Sequence, residues 1–499
     1  MISLRKWTIL IHRWLGIVLS LLFVVWFVSG IAMIYAGGMP SLTREARFEH
    51  LPPLDLSRVK LSPSEAVEKA ELGRAPGGVT LLTVMDRPAY RFSGRDPVTV
   101  FADNGDLLDE VGEAESITIA GRFMSLPAEK LHYAGYLTEP DQWTVGEQRQ
   151  LPMHKITVDD PARTELYVSE ARAEVGLVTT RGTRALAWVA AIPHWLYFTS
   201  LRSNGPLWNR VVIWSSGIGT ILALLGIVVG IVQFSRSRPH IPYAGWMRWH
   251  YITGAIFGVF TATWVFSGLL SMEPFPAADG AGTGAGLRQA LTGGPLDLSR
   301  FPAMDAAAWN QVLPAGSIKE IDFLRIQGKP HYAVRGVEAK PLVMSASPLQ
   351  IRRELFSIDS LMSRVRQSVP DVPVSEYEVL SEYDSYYYAR GQERPLPVLR
   401  VKFADSDGTW FYIDPAMSQV VGRFTSRDRV ERWLYHGLHS LDFPFWYYKR
   451  PLWDIGVILL SLGGIATSGI GLYIGMKRVI RHIKRIFRPR VRAMAGTIK

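Results

Sequence analysis

The chain has 499 residues, a formal net charge of +10 and 48% hydrophobic residues gathered into a few long runs; it contains no cysteine. That last fact excludes disulfides, iron–sulfur clusters, thiolate nucleophiles and covalent C-x-x-C-H haem attachment. Much of the basic excess lies in KRVIRHIKRIFRPRVR from Lys477, which reads as a cytoplasmic anchor beside anionic lipid rather than a nucleic-acid surface.

The first element is the apolar run of residues 5–35, RKWTILIHRWLGIVLSLLFVVWFVSGIAMIY. Roughly 20 apolar residues suffice to cross a bilayer as a helix. Arg5, Lys6 and Arg13 keep its start in the cytoplasm. The run is too long for a signal-peptide core, and a copy of it recurs inside the chain. Residues 37–182 follow as a soluble exoplasmic segment. It opens with a linker and a helix at LSPSEAVEKAEL, where Ser62 and Pro63 suit N-cap and N1. Strands PAYRFSG and PVTVFADNGDLLDEV come next, the latter turning at Asn104-Gly105. A second αβ unit ends in the strands KITVDD and TELYVSE. Residues 183–209 are aromatic, broken by Pro193 and His194, and read as interfacial.

The second crossing is expected from Val211 to Phe234, ending in the basic loop Ser235-Arg236-Ser237-Arg238. The third runs outward from Trp249 to Met272. The GAGTGAG run at Gly280 opens the second exoplasmic segment; it follows no strand, so it reads as linker and not as a phosphate loop. That segment closes with a hairpin turning at Asp407-Gly408. The fourth crossing is Ile455 to Met476, which leaves both termini cytoplasmic. The expected boundaries are 1–36 for the first helix, 37–182 for the first exoplasmic domain, 183–209 for an interfacial segment and 210–235 for the second helix. They continue with a loop at 236–247, the third helix at 248–272 and the second exoplasmic domain at 273–427. An interfacial segment at 428–453, the fourth helix at 454–476 and a basic tail at 477–499 complete the chain.

The chain repeats itself. With His12 set on His250, Gly16 falls on Gly254, Trp26 on Trp264 and Ser29-Gly30 on Ser267-Gly268. At a second offset Trp188 matches Trp433, His194 matches His439 and Pro206-Leu207-Trp208 matches Pro451-Leu452-Trp453. LPMHKITVDD from Leu151 aligns with LPVLRVKFAD from Leu396 at the same offset. The fold class expected is therefore a membrane protein with four transmembrane helices, arranged as two homologous two-helix repeats, each with a large α+β exoplasmic domain. Repeats in membrane proteins commonly place ligand sites at their interface.

Four of the eleven histidines occupy matched positions: His12, His250, His194 and His439. His12 and His250 each lie seventeen residues before a Ser-Gly pair, near the cytoplasmic face. His194 and His439 each precede an inward crossing, near the exoplasmic face. Members of different depths cannot share a metal across a core about 30 Å thick. Symmetry pairs His12 with His250 and His194 with His439, each pair suiting a bis-histidine haem held without covalent attachment. Zinc or copper would want further ligands that the crossings do not offer. His436 lies one turn before His439 and is a substitute for it, but it faces Ala191 in the other repeat. His132, His154 and His331 read as ordinary strand or surface residues. Arg13, Arg248, Arg202 and Arg210 suit haem propionates or interfacial anchoring equally. The cluster Tyr383, Tyr386, Tyr387 and Tyr388 reads as substrate or haem contact, or as strand-edge packing.

The repeated histidine helix, ADNGDLLDEV, DGTWFYIDPAMSQVVG and YDSYYYAR resemble the PepSY-associated transmembrane family over essentially the whole chain. The resemblance implies a bacterial inner-membrane protein with PepSY-like exoplasmic domains. One branch of that family is similar to siderophore reductases that bind two b-type haems and release iron in the periplasm. Some members carry a fused cytoplasmic flavin reductase domain, which these residues do not include. The expected partners are thus a ferric siderophore or other ferric chelate, membrane lipid, and an electron donor that is quinol or a separate flavin reductase. The expected activity is a haem-dependent ferric-siderophore reductase (an oxidoreductase). The rival reading is a non-redox membrane protein whose PepSY-like domains bind peptides or regulate a peptidase; it leaves the paired histidines unexplained.

Overall fold

The computed structural model describes residues 4–73, 76–94, 97–235, 240–274, 283–338, 340–390 and 393–487. The chain divides into two units: residues 1–39, 185–276 and 431–499 form one, and residues 40–184 and 277–430 the other.

Among the described residues the first unit has four helices long and apolar enough to cross a membrane: α1 (Leu4–Ala36), α2 (Gly205–Gln233), α3 (Gly245–Leu270) and α4 (Leu452–Ile486). Two limits differ from the expectation. α2 begins six residues before Val211, because Asn204 caps it by accepting from Leu207 N and Pro206 occupies its first turn. α4 runs ten residues past Met476, so Lys477, Arg478, Arg481, Lys484 and Arg485, which the expectation put in the basic tail, ride on the helix. Tail residues 488–499 and loop residues 236–239 lie outside the described residues. α1 packs against α2 and α4, and so does α3, which puts α1 and α3 on one diagonal. Phe23, Phe27, Leu222, Trp264, Val265 and Val457 fill the middle. Without a hydrophobic drive in lipid, small residues permit the close approach. A Cβ at Gly464 would collide with the Phe27 ring, and one at Gly219 would sit 3.0 Å from both Phe23 and Val265.

Among the described residues the second unit holds three antiparallel sheets. One has seven strands in the order β11-β10-β9-β8-β1-β2-β3, where β1–β3 are Val79–Val84, Arg87–Phe92 and Val98–Phe101, and β8–β11 are Glu320–Ile326, Lys329–Arg335, Leu342–Ala346 and Leu349–Ile351. The seam is β1 on β8, with Val79 opposite Phe323 and Leu82 opposite Glu320, so strands from the segment after α1 and from the segment after α3 share one sheet. The other two sheets are meanders: β4–β7 (Leu131–Leu137, Met153–Val158, Glu165–Ser169, Glu174–Thr179) and β12–β15 (Val374–Leu380, Val398–Phe403, Trp410–Asp414, Gln419–Phe424). Helix Pro63–Lys69 forms as expected, with Ser62 and Glu65 closing a capping box. The turns at Asn104-Gly105 and Asp407-Gly408 are present, both glycines at positive φ.

The glycine run departs from the linker reading. Residues 280–282 lie outside the described ones, but Thr283 begins a helix to Thr292. Leu287 and Leu291 of that helix are fully buried with Leu361, Met362 and Val365 of helix Ile358–Ser368. A Cβ at Gly286 would sit 3.4 Å from the Ser368 carbonyl, so glycine here serves close helix packing. A partly buried ionic cluster ties β2, β7 and β8 to the helix Arg44–His50. Arg47 reaches Glu174 at 2.9 Å and Glu320 at 2.7 Å, and Arg91 reaches Glu174 at 3.1 Å. Burial opposes ionisation of Glu174, but Arg91, Arg47 and Arg172 outweigh it and hold its carboxyl at about 2.

Candidate functional site: two facing histidine pairs

His12 on α1 and His250 on α3 face one another across the diagonal, ring centroids 6.4 Å apart and planes inclined by 33°. Each ring is fixed by its Nδ1. That of His12 lies 3.1 Å from the carbonyl of Leu222 on α2, and that of His250 lies 3.0 Å from the carbonyl of Thr467 on α4. A carbonyl only accepts, so Nδ1 carries the proton and donates it, which leaves the Nε2 lone pair available to a metal. Glycine makes room for each ring. A Cβ at Gly226 would stand 2.9 Å from His12 Cε1, and one at Gly471 would stand 3.1 Å from His250 Cε1.

The second pair meets at the other end of the bundle. His194 and His439 have ring centroids 6.0 Å apart and planes inclined by 62°. Neither sits on a long helix. His194 is in the short helix Ala191–Trp195, which starts after a break at Ala190 (φ −112°, ψ −92°) and stops at Leu196 in the left-handed region. His439 is in Leu438–Ser440, which follows a wider π-helical turn at Trp433–Gly437 and stops at Leu441, also left-handed. Leucine at φ 54° and 49° is a strained choice, of the kind that gathers at functional sites. Two indoles pin these turns: Trp208 Nε1 donates to Trp195 O at 2.8 Å, and Trp453 Nε1 donates to Ser440 O at 3.0 Å. The repeated Ser-Gly pairs meet the imidazoles. Ser29 Oγ and Ser267 Oγ each lie 3.1 Å from Nδ1, of His194 and His439 respectively. Cβ atoms at Gly30 and Gly268 would lie 3.4 and 3.8 Å from the Cε1 atoms of the same rings.

The spacing of both pairs suits one metal ion between two imidazoles. A metal–nitrogen bond of about 2 Å plus about 1.1 Å from nitrogen to ring centre gives roughly 6.2 Å between centroids. Among the described residues no three His, Cys, Asp or Glu side chains converge on a metal position. A structural zinc site, which takes four protein ligands, therefore has no donor set there. Two imidazoles at each site, with no third His, Cys, Asp or Glu among the described residues, is what the donor set offers. His12 and Ser29 are seventeen residues apart on one helix, which separates the two pairs by ~25 Å along the bundle.

Other singled-out residues fall as follows. The Tyr435 ring lies against both His436 and His439, and it is His439 whose ring faces His194. His154 and His331 are buried in β5 and β9, and His132 is exposed in β4. Arg202 lies over Tyr197 and Trp208 at 5.0 and 4.7 Å; Arg210 and Arg248 are exposed and Arg13 is half-buried. The tyrosine cluster is packed. Tyr387 is buried, stacks on Tyr412 at 4.8 Å and donates to Pro395 O, while Asp384 gathers the Tyr412 hydroxyl and Arg400. Leu222, Thr467, Gly226 and Gly471 are not marked as site residues by the sequence pattern, although Leu222 and Gly226 map onto Thr467 and Gly471 at the offset that relates His194 to His439.

The chain belongs to the family described as the PepSY-associated TM region, which it matches over residues 9–478. No curated protein matches it in sequence.

Proposed function

We propose that the chain is a dihaem electron-transfer protein of the bacterial inner membrane that reduces a ferric siderophore, or another ferric chelate, in the periplasm. The observation that carries this reading is the pairing of four imidazoles into two facing sets, each with Nδ1 held and centroids 6.4 and 6.0 Å apart. His12 with His250, and His194 with His439, would each hold one b-type haem through Nε2. Two features fit that group: the imidazole spacing, and the glycine floor under each ring. When bound, haem supplies reversible one-electron chemistry at each site.

The protein contributes the rest. The two-helix repeat read in the sequence supports a like depth for like histidines. The carbonyls of Leu222, Thr467 and Trp26 hold the Nδ1 protons of His12, His250 and His194, the tautomer that presents Nε2. Buried Phe23, Phe27 and Trp264 exclude water from the interval between the pairs. The basic extension of α4, with Arg5 and Lys6 of α1, supports a cytoplasmic placement of the His12–His250 end. An electron from quinol or a cytoplasmic flavin reductase enters there and leaves at the His194–His439 end. One electron converts the chelated Fe(III) to Fe(II), which hard oxygen donors hold more weakly, so reduction releases the iron.

Colour tests this. Detergent-purified protein is expected to show a low-spin haem spectrum that sharpens with dithionite, and to yield two extractable haems per chain. A preparation from haem-replete cells with no such absorption overturns the proposal.

A further inference from the structure

Arg202 ends the short helix Thr199–Arg202, just ahead of α2. Its guanidinium lies over Tyr197 at 5.0 Å and over Trp208 at 4.7 Å. Both rings adjoin the His194 turn. Trp208 Nε1 donates to Trp195 O at 2.8 Å, and the Tyr197 ring stands 5.2 Å from that of Trp195. A guanidinium has five N–H donors and no acceptor. Among the described residues no oxygen accepts from the Arg202 side chain, and its Nε is buried without a partner. Buried donors of a charged group are normally paired, because leaving them unpaired is costly.

The other half of the chain serves as a control. At the offset that sets His194 on His439, Trp208 falls on Trp453 and Arg202 on Tyr447. The Tyr447 ring packs on Trp453 at 5.5 Å, so a neutral side chain fills the seat beside that indole. Packing there needs no charge. The second half has guanidinia of its own, and each has a carboxylate: Arg432 lies 3.5 Å from Asp442, and Arg450 pairs with Asp454. Residues 1–36 and 185–235, which hold α1, His194 and α2, contain no Asp or Glu at all. Anchoring to a lipid phosphate is the plain alternative. An anchoring arginine sends its charged head to water, whereas Arg202 is held over two rings with Nε shut off from the surface.

We infer that Arg202 binds a carboxylate of the group seated between His194 and His439. A b-type haem carries two propionates, and a guanidinium stacked on aromatic rings suits a carboxylate in its plane. The inference rests on the dihaem reading. It goes beyond that reading because two axial imidazoles leave a haem free to rotate about the axis through them, whereas a carboxylate held at Arg202 sets its orientation.

Haem dimethyl ester, in which both carboxylates are capped, tests this. Haem-free protein from haem-deficient cells is loaded in detergent with haem or with the ester. The two sites are told apart by their loss in His250→Ala and His439→Ala. At the His194–His439 site the parent is expected to hold haem roughly tenfold or more tighter than the ester, the scale of one hydrogen bond to a charged group. Arg202→Met keeps the apolar stem. It is expected to weaken haem at that site by a like factor and to leave the ester unchanged. The His12–His250 site is expected to keep its parental affinities in Arg202→Met. Failure of the parent to bind haem overturns the dihaem reading and this inference with it. Equal affinity of the parent for haem and ester at the His194–His439 site overturns the inference alone, with no variant needed. An equal loss of haem and ester in Arg202→Met does the same, since that is the result of a packing role or of an arginine on lipid phosphate.

Discussion

The two histidine pairs are the same device made by different means. His12 and His250 ride on long continuous helices, and their acceptors are carbonyls of two more such helices. His194 and His439 ride on one-turn helices reached through a break and a π-helical turn, and are held by indoles and hydroxyls. A ligand on a long helix is placed by the packing of the whole bundle. A ligand on a short turn is placed by its local ties. The first pair should therefore tolerate distant damage, and the second should fail when a single tie is cut.

The largest expected effect is loss of a ligand. His12→Ala or His250→Ala should each remove or convert one and the same haem and leave the other spectrally intact. His194→Ala and His439→Ala should do this to the other haem. If His12→Ala and His194→Ala alter one common haem, the pairing of like with like is wrong, and the comparison loses its basis.

That pairing was legible in the sequence because it rests on repeated registers, His12 against His250 and His194 against His439. The acceptors on α2 and α4 were not, since a helix carbonyl leaves no mark in a side-chain pattern. Ser29 and Ser267 were visible as repeat markers, but their role depends on which helix face meets His194 and His439. The crossings were legible from apolar length, to within the extra turns that Asn204 and the basic end of α4 supply. The shared seven-stranded sheet was not. Its seam joins Val79–Leu82 to Glu320–Phe323, and alternation within a strand says nothing about which distant edge it will pair with. The helix at Thr283 was hidden because its glycines argue for a linker until the close face of the neighbouring helix is known.

The next effect separates the pairs by stability. Arg432 and Asp442 flank His439 and are both almost fully buried; the guanidinium donates to the Asp442 carbonyl at 2.8 Å and lies 3.5 Å from its carboxylate. Truncating one partner of a buried pair strands the other, at a cost of about 3–5 kcal/mol. Arg432→Met should lower the thermal midpoint and broaden or bleach the His194–His439 signal while sparing the His12–His250 signal. The double variant Arg432→Met/Asp442→Leu should recover much of the stability, because no unpaired charge remains. Equal damage to both haem signals would mean that the second pair is no more locally held than the first.

The smallest effect compares the glycine floors. Alanine at Gly226 or Gly471 would bring a methyl to 2.9 or 3.1 Å from an imidazole carbon, closer than carbon atoms pack, and both the ring and its helix are confined. Relief requires tilting His12 or His250 off its carbonyl, which overpacking of this kind makes worth about 1–3 kcal/mol. Alanine at Gly268 would bring a methyl only to 3.8 Å from His439 Cε1, an ordinary contact, and should cost little. Measured as haem retention during detergent washing, Gly226→Ala and Gly471→Ala should weaken the first site by roughly tenfold to a hundredfold, at 1.4 kcal/mol per tenfold. Gly268→Ala should leave the second site near parental. The order matters more than the size, because it runs opposite to the Arg432 result. Long helices leave His12 and His250 no slack for an added methyl, whereas the one-turn segment carrying His439 has room at its floor and depends on its ties. Equal loss at Gly226→Ala and Gly268→Ala would show that both rings are gripped alike, and the distinction between bundle-held and locally held ligands would fall.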